Sequence, residues 1–369
     1  MTFERIVIKL GTSTLTAGTS CLSPPRLIDL VRQMWVLHSE GNEVILVSSG
    51  AIATGREALD FPQLPKNIPA KQMLAAIGQP RLMALYEQLF RLYDLTVAQV
   101  LLSRTDMDDR RRYLNARNTL NALLSHQIIP IVNENDTVAT EEIRLGDNDN
   151  LSGLVANLIE ADLLIMLTDQ PGLFTIDPRL DSSAELITEV SGPEIPEKLW
   201  RAAGGTTNGL GTGGMITKLQ AAELARRSGA MVVIAHGGRP NILLRTAAGE
   251  AIGTRIYPLS TILESRKRFI LACGSDDDFL RIDKGAVQAL NNGSSLLPVG
   301  VNDVVGDFGR GDTVRIEDNS GRMIARGLTN YAACDLTRIK GHQSEEIEEI
   351  LGFAYGDEVV HRNNMVLLC

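Results

Sequence analysis

The chain has 369 residues, a formal net charge of −9 and only 4% aromatic side chains. This length exceeds what one ordinary domain needs. The acidic balance argues against a protein built mainly to grip nucleic acid or an anionic membrane, and the scarcity of aromatic side chains argues against extensive base-stacking surfaces.

The four cysteines are far apart in the sequence, and none forms a C-x-x-C pair. This is typical of a reduced intracellular protein rather than of a disulfide framework or a zinc ribbon. The apolar run at the N-terminus is too short for a signal peptide, and no run of about 18 apolar residues exists that could span a membrane. We therefore expect a soluble protein of the cytoplasm.

Short β-branched runs alternate with helical patterns over the first two thirds of the chain. A helix is predicted over 24–40, where the apolar residues share one face, and a second helix is predicted after Gly50. Runs that are apolar on both faces and alternate with helices indicate a mainly parallel sheet sandwiched by helices, which binds ligands at the carboxyl ends of its strands. The predicted strands are 5–10, 43–49, 95–102, 128–133, 163–168 and 231–235.

The pattern changes near residue 260. A charged connector with one short strand covers 260–278, and short strands separated by glycine, asparagine and aspartate turn signals follow. The first long amphipathic pattern after them lies at 343–352. These features predict a small, mostly β domain of about 80 residues at the C-terminal end.

The segment "GLGTGGMITK", residues 209–218, resembles a phosphate-binding loop but fits neither standard form. Met215 stands where a Walker lysine belongs, and no strand precedes the glycines as a dinucleotide-binding fingerprint requires. What remains is a glycine-rich loop that enters a helix, with Lys218 in the first helical turn. Backbone N–H groups at such a helix start can bind an anion, although a mobile surface loop with a solvated lysine is an equal alternative.

Three further polar clusters follow predicted strands. Lys9 stands where the first strand gives way to "GTS", and a lysine in a buried strand is costly unless its ammonium reaches a partner or ligand. This favours phosphate binding over the alternative, a lysine that snorkels to solvent at the strand end. "VSSGAIATG" (47–55) places small residues before a helix start, where an ordinary N-cap serine is the simpler interpretation. Thr168 and Asp169 end another strand and suit either a nucleotide contact or a plain turn.

The densest polar stretch, 133–153, follows the strand "IIPIV". Its "DNDNLSG" sequence lacks the oxygen ligand and the glycine that a calcium loop needs, so we reject calcium. Asx residues also favour solvated turns, but carboxylates at this edge could hold an ammonium group or orient a lysine. No histidine lies in these clusters or at zinc-ligand spacing, and no G-x-S-x-G nucleophile motif is present.

Taken in order, these clusters resemble the amino acid kinase family, and the C-terminal part is similar to a PUA domain. The resemblance implies a kinase domain at 1–262, a linker at 263–276, a PUA domain at 277–356 and a tail at 357–369. The motifs that carry it are "KLGTSTLT", "LVSSGAIATGRE", "KQMLAAIGQ", "LNARNTLNALL", "PIVNENDTVAT", "GDNDNLSGLVA", "LTDQPGLFTIDPR" and "GLGTGGMITKLQAA", with "GSSLLPVGV" and "GDFGRGD" near the end.

The resemblance implies ATP-dependent phosphorylation of the side-chain carboxylate of L-glutamate to L-glutamyl 5-phosphate, the first step of proline biosynthesis. Such chemistry needs no general base, because the acceptor carboxylate is already ionised, and it demands charge stabilisation instead. The family pattern makes Lys9 and Lys218 flank the transferred phosphoryl group while Asp149 fixes their positions. It places glutamate against Ser49, Gly50, Asp136 and Asn148. The nucleotide contacts that it implies are Lys9, Gly11, Thr168, Asp169, Thr212, Gly213, Gly214, Met215, Ile216, Thr217 and Lys218.

The resemblance also implies Mg²⁺ held mainly by ATP, with no protein ligand assigned to the metal. It implies feedback inhibition by L-proline, a homodimer or homotetramer, and a downstream glutamyl phosphate reductase as a candidate partner. Kinases of acetylglutamate or aspartate are the nearest alternatives, but acetylglutamate has no ammonium for Asp136, and aspartokinases usually carry regulatory ACT domains. RNA binding is disfavoured, because residues 277–356 hold 13 acidic and 8 basic side chains, a net charge of −5.

Overall fold

The computed structural model of the chain describes residues 3–138, 148–178, 181–203, 214–259, 270 and 277–368. Two compact units make up the chain. The first contains residues 1–109 and 115–262, and the second contains residues 110–114 and 263–369.

Fifteen strands form within the described residues. They are β1 (Arg5–Leu10), β2 (Glu43–Ser48), β3 (Val97–Leu102), β4 (Ile129–Glu134), β5 (Leu163–Thr168), β6 (Leu173–Phe174), β7 (Leu186–Ile187), β8 (Glu189–Val190), β9 (Met231–His236), β10 (Thr254–Ile256), β11 (Phe279–Ile282), β12 (Val301–Val305), β13 (Thr313–Asp318), β14 (Met323–Leu328) and β15 (Met365–Leu367).

The α-helices of the described residues are α1 (Thr12–Leu15), α2 (Pro24–Ser39), α3 (Ala51–Ala58), α4 (Ile68–Arg91), α5 (Arg104–Asp108), α6 (Arg110–Ser125), α7 (Asn148–Leu158), α8 (Glu197–Ala203), α9 (Met215–Arg227), α10 (Ile242–Ala247), α11 (Lys284–Asn291), α12 (Ala333–Ile339) and α13 (Ile347–Leu351).

The first unit is built on an eight-stranded sheet in the order β3-β4-β2-β1-β5-β9-β10-β8. Every neighbouring pair is parallel except β9 and β10. Strands β4 and β5 are buried along their whole length, which explains the apolar runs "IPIV" of β4 and "LLIML" of β5. The mainly parallel sheet predicted from the sequence is thus confirmed.

One apolar core lies between this sheet and helices α2 and α4. Alternate residues of β1 face it, because successive side chains of a strand point to opposite sides. Helix α2 contributes a stripe at helical spacing, as its sequence predicts. The buried members from these two elements are Ile6, Ile8, Leu10, Leu27, Leu30, Val31, Met34 and Leu37.

The short strands of the first unit were not predicted. The hairpin of β6 and β7 and the edge strands β8 and β10 span only two or three residues each. A period of two cannot be recognised over such a length, and tertiary pairing decides the conformation.

The second unit has a five-stranded sheet in the order β12-β11-β13-β14-β15, so its mostly β character is confirmed. Helix α11 was not predicted; Asp283 caps it by accepting a hydrogen bond from the Ala286 N–H at 2.7 Å. The amphipathic segment 343–352 forms a 3₁₀ turn and then the short helix α13, which ends at Leu351 and is capped by Gly352 in a left-handed conformation.

The sequence placed a tail at 357–369, but the fold of the second unit continues beyond residue 356. Strand β15 pairs with β14, and Val359 and Val360 are fully buried in the core of this unit. Burial of these apolar side chains ties the segment to the sheet. The strand predicted within 260–278 lies almost wholly outside the described residues. None of the described helices is long and apolar enough to cross a membrane.

Candidate active site

The polar clusters predicted from the sequence follow β1, β2, β4 and β5 at one edge of the large sheet. Gly11 follows β1, Ser49 and Gly50 follow β2, and Asp136 lies in a turn after β4. Carboxyl ends of parallel strands share one edge, which is where such sheets bind ligands. The fold therefore gathers segments that are far apart in the sequence.

A buried charge cluster lies at this edge, centred on Asp149. Its carboxylate is fully buried and accepts a hydrogen bond from Lys218 Nζ at 3.0 Å and one from the Thr217 hydroxyl at 2.7 Å. Lys9 Nζ forms a salt bridge with the other carboxylate oxygen. Lys9 and Lys218 are themselves only 5% and 7% exposed. The structure thus brings together Lys9, Asp149 and Lys218, which the sequence separates by 140 and 69 positions (149 − 9 and 218 − 149).

The electrostatics of this cluster follow from its burial. Burial by itself raises the pKa of Asp149, but the ammonium groups of Lys9 and Lys218 and the hydroxyl of Thr217 outweigh it and lower the pKa to about 2. Burial also lowers the pKa of Lys9. The carboxylate of Asp149 opposes this lowering, and the charge of Lys218 adds to it. One carboxylate faces two amino groups, so Lys9 Nζ and Lys218 Nζ keep donor capacity for an incoming phosphate.

Close helix packing sets the geometry of the cluster. Asp149 lies in the first turn of α7, and Lys218 lies in the first turn of α9. One turn further along α7, Gly153 packs against α9 so closely that an added Cβ would lie 2.7 Å from the carbonyl oxygen of Ala221. The absence of a side chain at this crossing lets the two helix starts approach, and Asp149 reaches both Thr217 and Lys218.

Two glycines keep space open beside the cluster. A Cβ at Gly11 would lie 3.3 Å from Lys9 Nζ and would crowd the ammonium group. Gly50 precedes α3 with φ of +111°, a left-handed conformation that favours glycine, and a Cβ there would lie 3.1 Å from Leu15 Cδ1. Both positions therefore depend on glycine for a steric reason.

A chain of side-chain amides leads away from the charge cluster. Asn148 Nδ2 donates to Ser49 Oγ at 3.0 Å and to Asn133 Oδ1 at 2.9 Å. Asn133 Nδ2 donates in turn to Gln79 Oε1 at 2.7 Å. Both N–H groups of Asn148 are thus engaged, while the Ser49 hydroxyl accepts a bond and keeps its own proton available to donate. Ser49 is accordingly better placed than Asn148 to donate to a ligand.

Sequence reasoning missed Asn133 and Gln79. The sequence does carry a sign of Asn133, because this amide directly follows the apolar run "IPIV" within a buried strand and is only 1% exposed. Such a residue needs partners, and it finds them in Gln79 and Asn148. Gln79 lies on a helix 54 positions away, and nothing local in the sequence pairs the two.

Asp136 is placed at the same edge but is not part of this amide chain; it forms no hydrogen bond to Ser49 or Asn148, both of which are described. Burial raises the pKa of its carboxyl group to about 6. A cationic partner would stabilise the ionised form of this buried carboxylate, because pairing with a cation offsets the desolvation of its charge.

The predicted nucleotide residues are found beside β5 and at the start of α9. Thr168 is buried at the end of β5, its hydroxyl donates to the Asp169 carboxylate at 3.0 Å, and its carbonyl accepts from the Gly237 N–H at 2.8 Å. Gly214 precedes α9, and Met215, Ile216 and Thr217 begin it, but Thr212 and Gly213 lie outside the described residues.

No group of three or more histidine, cysteine, aspartate or glutamate side chains that could hold a metal ion occurs in the described part of the chain. Asp149, a fully buried carboxylate of the site, is already engaged by Lys9, Thr217 and Lys218.

A mainly parallel sheet with a buried lysine pair at the carboxyl ends of its strands is the arrangement of a phosphotransferase of the amino acid kinase class, and the chain belongs to that family. The model of the amino acid kinase family matches residues 4–236, and the model of the PUA domain matches residues 279–351. The resemblance predicted from the motifs is thereby confirmed.

Three similar proteins share the name glutamate 5-kinase. That of Photobacterium profundum is 54% identical over 99% of this chain and 96% of its own length. That of Sodalis glossinidius is 53% identical over 99% of both chains. That of Deinococcus radiodurans is 53% identical over 99% of this chain and all of its own.

Proposed function

We propose that the protein phosphorylates the side-chain carboxylate of L-glutamate with ATP, giving L-glutamyl 5-phosphate and ADP in the first step of proline biosynthesis. The observation that carries this proposal is the buried carboxylate of Asp149, which holds Lys9 and Lys218 at one point. Similarity to proteins named glutamate 5-kinase supports the choice of substrate.

The reaction matches the residues present. A glutamate side chain is ionised at neutral pH, so its oxygen can attack the γ-phosphorus without a general base. A new P–O bond forms while the bond from phosphorus to the bridging oxygen breaks, and the electron pair leaves with ADP. Negative charge moves over the phosphoryl oxygens during this exchange, and preorganised ammonium groups of Lys9 and Lys218 stabilise it.

Asp149 acts in this scheme as a positioning residue. It holds both lysines in place before the substrate arrives, so no reorganisation is needed at the moment of transfer. Thr168 and Asp169, with Gly11 and the start of α9, would hold the nucleotide. Thr212 and Gly213 are proposed for the same role from the sequence alone.

We further propose Mg²⁺ as the metal of the reaction. Because three donors already engage Asp149, the ion would be carried by the phosphate oxygens of ATP, where it would neutralise charge on the β- and γ-phosphates.

At the amino-acid end, Asp136 would accept the α-ammonium group of glutamate, while the Ser49 hydroxyl and the backbone near Gly50 would donate to a carboxylate. Asn148 would hold Ser49 in place. Proline carries the same pair of charged groups on its α-carbon, so inhibition by proline at or near this subsite follows. A homodimer or homotetramer, action in the cytoplasm and delivery of the product to a glutamyl phosphate reductase complete the proposal.

Trapping of the product tests the proposal directly. The purified protein, incubated with ATP, Mg²⁺, hydroxylamine and L-glutamate, should yield a glutamyl hydroxamate. Parallel reactions contain N-acetylglutamate or aspartate. Hydroxamate formed with either of these, and none with glutamate, would overturn the assignment.

A further inference from the structure

Helix α4 presents one polar side chain within its apolar stripe. Ala75, Leu82 and Tyr86 lie on the buried side of this helix at helical spacing. Gln79 falls between them, four positions after Ala75 and three before Leu82, where the pattern calls for an apolar residue. A polar group in such a position is costly unless its hydrogen-bonding capacity is met.

The orientation of the Gln79 amide follows from a chain of hydrogen bonds that starts at a backbone N–H group. The Glu134 N–H is an unambiguous donor and bonds to Asn133 Oδ1 at 2.9 Å. Asn133 therefore presents its Nδ2 to Gln79, and Gln79 must present Oε1 in return, at 2.7 Å. The Nε2 group of Gln79 faces the other way, and it is buried without a hydrogen-bond partner among the described residues.

The backbone at Gln79 cannot move away from the site, because α4 packs closely against α3. A Cβ at the adjacent Gly78 would lie 1.8 Å from the Ala51 carbonyl oxygen, and one at Gly55 would lie 1.9 Å from the Leu74 carbonyl oxygen. These backbone contacts hold α4 beside the first turn of α3, which starts directly after Ser49 and Gly50. The backbone that carries Gln79 is thus fixed beside the proposed glutamate subsite, and its side chain is joined to that subsite through Asn133.

The strand order indicates which end of glutamate Gln79 would meet. Lys9 belongs to β1, Ser49 follows the neighbouring β2, and Asn133 belongs to β4 beyond it. Adjacent strands lie roughly 4.8 Å apart. A glutamate that lies across the strands with its side-chain carboxylate at Lys9 has its α-carbon near β4. The α-carboxylate, rather than the reacting carboxylate, is therefore the group near Gln79.

We propose that Gln79 is a specificity-determining residue whose Nε2 amide donates a hydrogen bond to the α-carboxylate of the bound amino acid. This inference rests on the proposed function for the identity of the substrate. It assigns to Gln79 the recognition of the α-carboxylate, a charged group of glutamate that the phosphoryl transfer does not use. The bond to Asn133 orients the amide, and the bond to the substrate satisfies it.

The variant Gln79→Glu distinguishes recognition of the α-carboxylate by Gln79 from its structural bond to Asn133. The introduced carboxylate still accepts from Asn133, so the amide chain survives, but it repels an α-carboxylate and accepts from an α-carboxamide. We compare kcat/KM for L-glutamate with kcat/KM for its α-carboxamide, whose side-chain carboxylate is intact. In the Gln79→Glu variant, kcat/KM for glutamate divided by kcat/KM for the carboxamide should be about tenfold or more below the wild-type ratio. A fall of this size is expected for loss of a hydrogen bond to a charged group.

Two more variants complete the experiment. Gln79→Met should raise KM for glutamate by about tenfold or more while kcat and KM for ATP change little. Gln88→Met makes the same substitution at an exposed position of the same helix and should change none of these values. Thermal melting of each variant shows that it is folded.

The outcomes separate the two proposals. If the wild-type protein phosphorylates no glutamate, the proposed function fails. If the wild type is active, and an active Gln79→Glu variant keeps the wild-type ratio between glutamate and its carboxamide, the role of Gln79 is overturned. A Gln79→Met variant that is folded and has wild-type KM for glutamate overturns it as well.

Discussion

The two ends of the site use opposite physical means. At the β1 end, the amino groups of Lys9 and Lys218 are buried and paired with the carboxylate of Asp149. At the β4 end, neutral amides and a hydroxyl hydrogen-bond to one another, and the carboxylate of Asp136 stands apart from them. Phosphoryl transfer needs charge that is fixed beforehand, whereas recognition of an amino acid needs donors and acceptors in a defined order.

The contrast extends to how each end is held. Asp149 is fixed by the crossing of α7 and α9 at Gly153, and Gln79 is fixed by the crossing of α3 and α4 at Gly55 and Gly78. In both cases a missing Cβ lets two helix backbones touch at the sheet edge. Variants at the charged end should therefore change turnover, and variants at the amide end should change the affinity for glutamate.

The largest effect is expected from Asp149→Asn. This change leaves two buried amino groups without their counterion, and removal of one partner from a buried ion pair typically costs about 3–5 kcal/mol. The unfolding free energy should fall by that order, and kcat should drop by about a hundredfold or more because the lysines lose their positions. Urea unfolding and the hydroxamate assay measure the two quantities.

The matched control for this variant is Glu197→Gln. It breaks an ion pair with Arg201 in which both side chains are 77% exposed, and such pairs contribute little. It should leave stability and turnover near wild type. An Asp149→Asn protein as stable and as active as this control would contradict the account of the charged end.

Asp136→Ala addresses the other end. Loss of a charge-assisted contact to the α-ammonium group should raise KM for glutamate by about ten- to hundredfold, with kcat much less affected. Inhibition by proline should weaken in parallel. Steady-state kinetics at several proline concentrations measure both, and a large fall in kcat at unchanged KM would mean that the two ends are not separate.

The pH dependence sharpens the same point. Because burial raises the pKa of Asp136 to about 6, the group is ionised above that pH and becomes neutral below it. KM for glutamate should therefore rise as the pH falls below 6, by about tenfold near pH 5. Asp149, with a pKa of about 2, stays ionised across this range. Asp136→Asn should show a high KM that no longer depends on pH between 5 and 7.

A smaller effect is expected from Gly153→Ala. The added methyl group would press on the Ala221 carbonyl and spread α7 from α9, and overpacking of this kind costs about 1–3 kcal/mol. A gain of up to about 1 kcal/mol in helix propensity offsets part of this. We expect a several-fold lower kcat at unchanged KM for glutamate. Gly285→Ala, where the methyl group meets only an Asp283 carboxylate oxygen at 3.3 Å, should not change kcat.

The sequence predicted the long strands because buried parallel strands leave continuous apolar runs, as in "LLIMLT" of β5. It also indicated Lys9, since a lysine in a buried strand needs a partner, whereas for Lys218 the glycine loop alone left a solvated lysine as an equal alternative. It could not show that Thr217 would join Asp149, or that Gln79 would reach Asn133, because helix crossings decide both contacts. Strands β8 and β10 escaped prediction since their pattern is too short to recognise.

Rapid-quench single-turnover kinetics on Lys218→Ala, beside calorimetric titration of glutamate, test the central claim most directly. The variant should bind glutamate within about threefold of wild type and transfer the phosphoryl group at under about 1% of the wild-type rate, in line with the loss of one preorganised charge. Arg227→Ala, on the exposed end of the same helix, should match wild type in both. Near-normal transfer by Lys218→Ala, or loss of glutamate binding equal to its loss of rate, would contradict the division of the site into a charged end for transfer and an amide end for recognition.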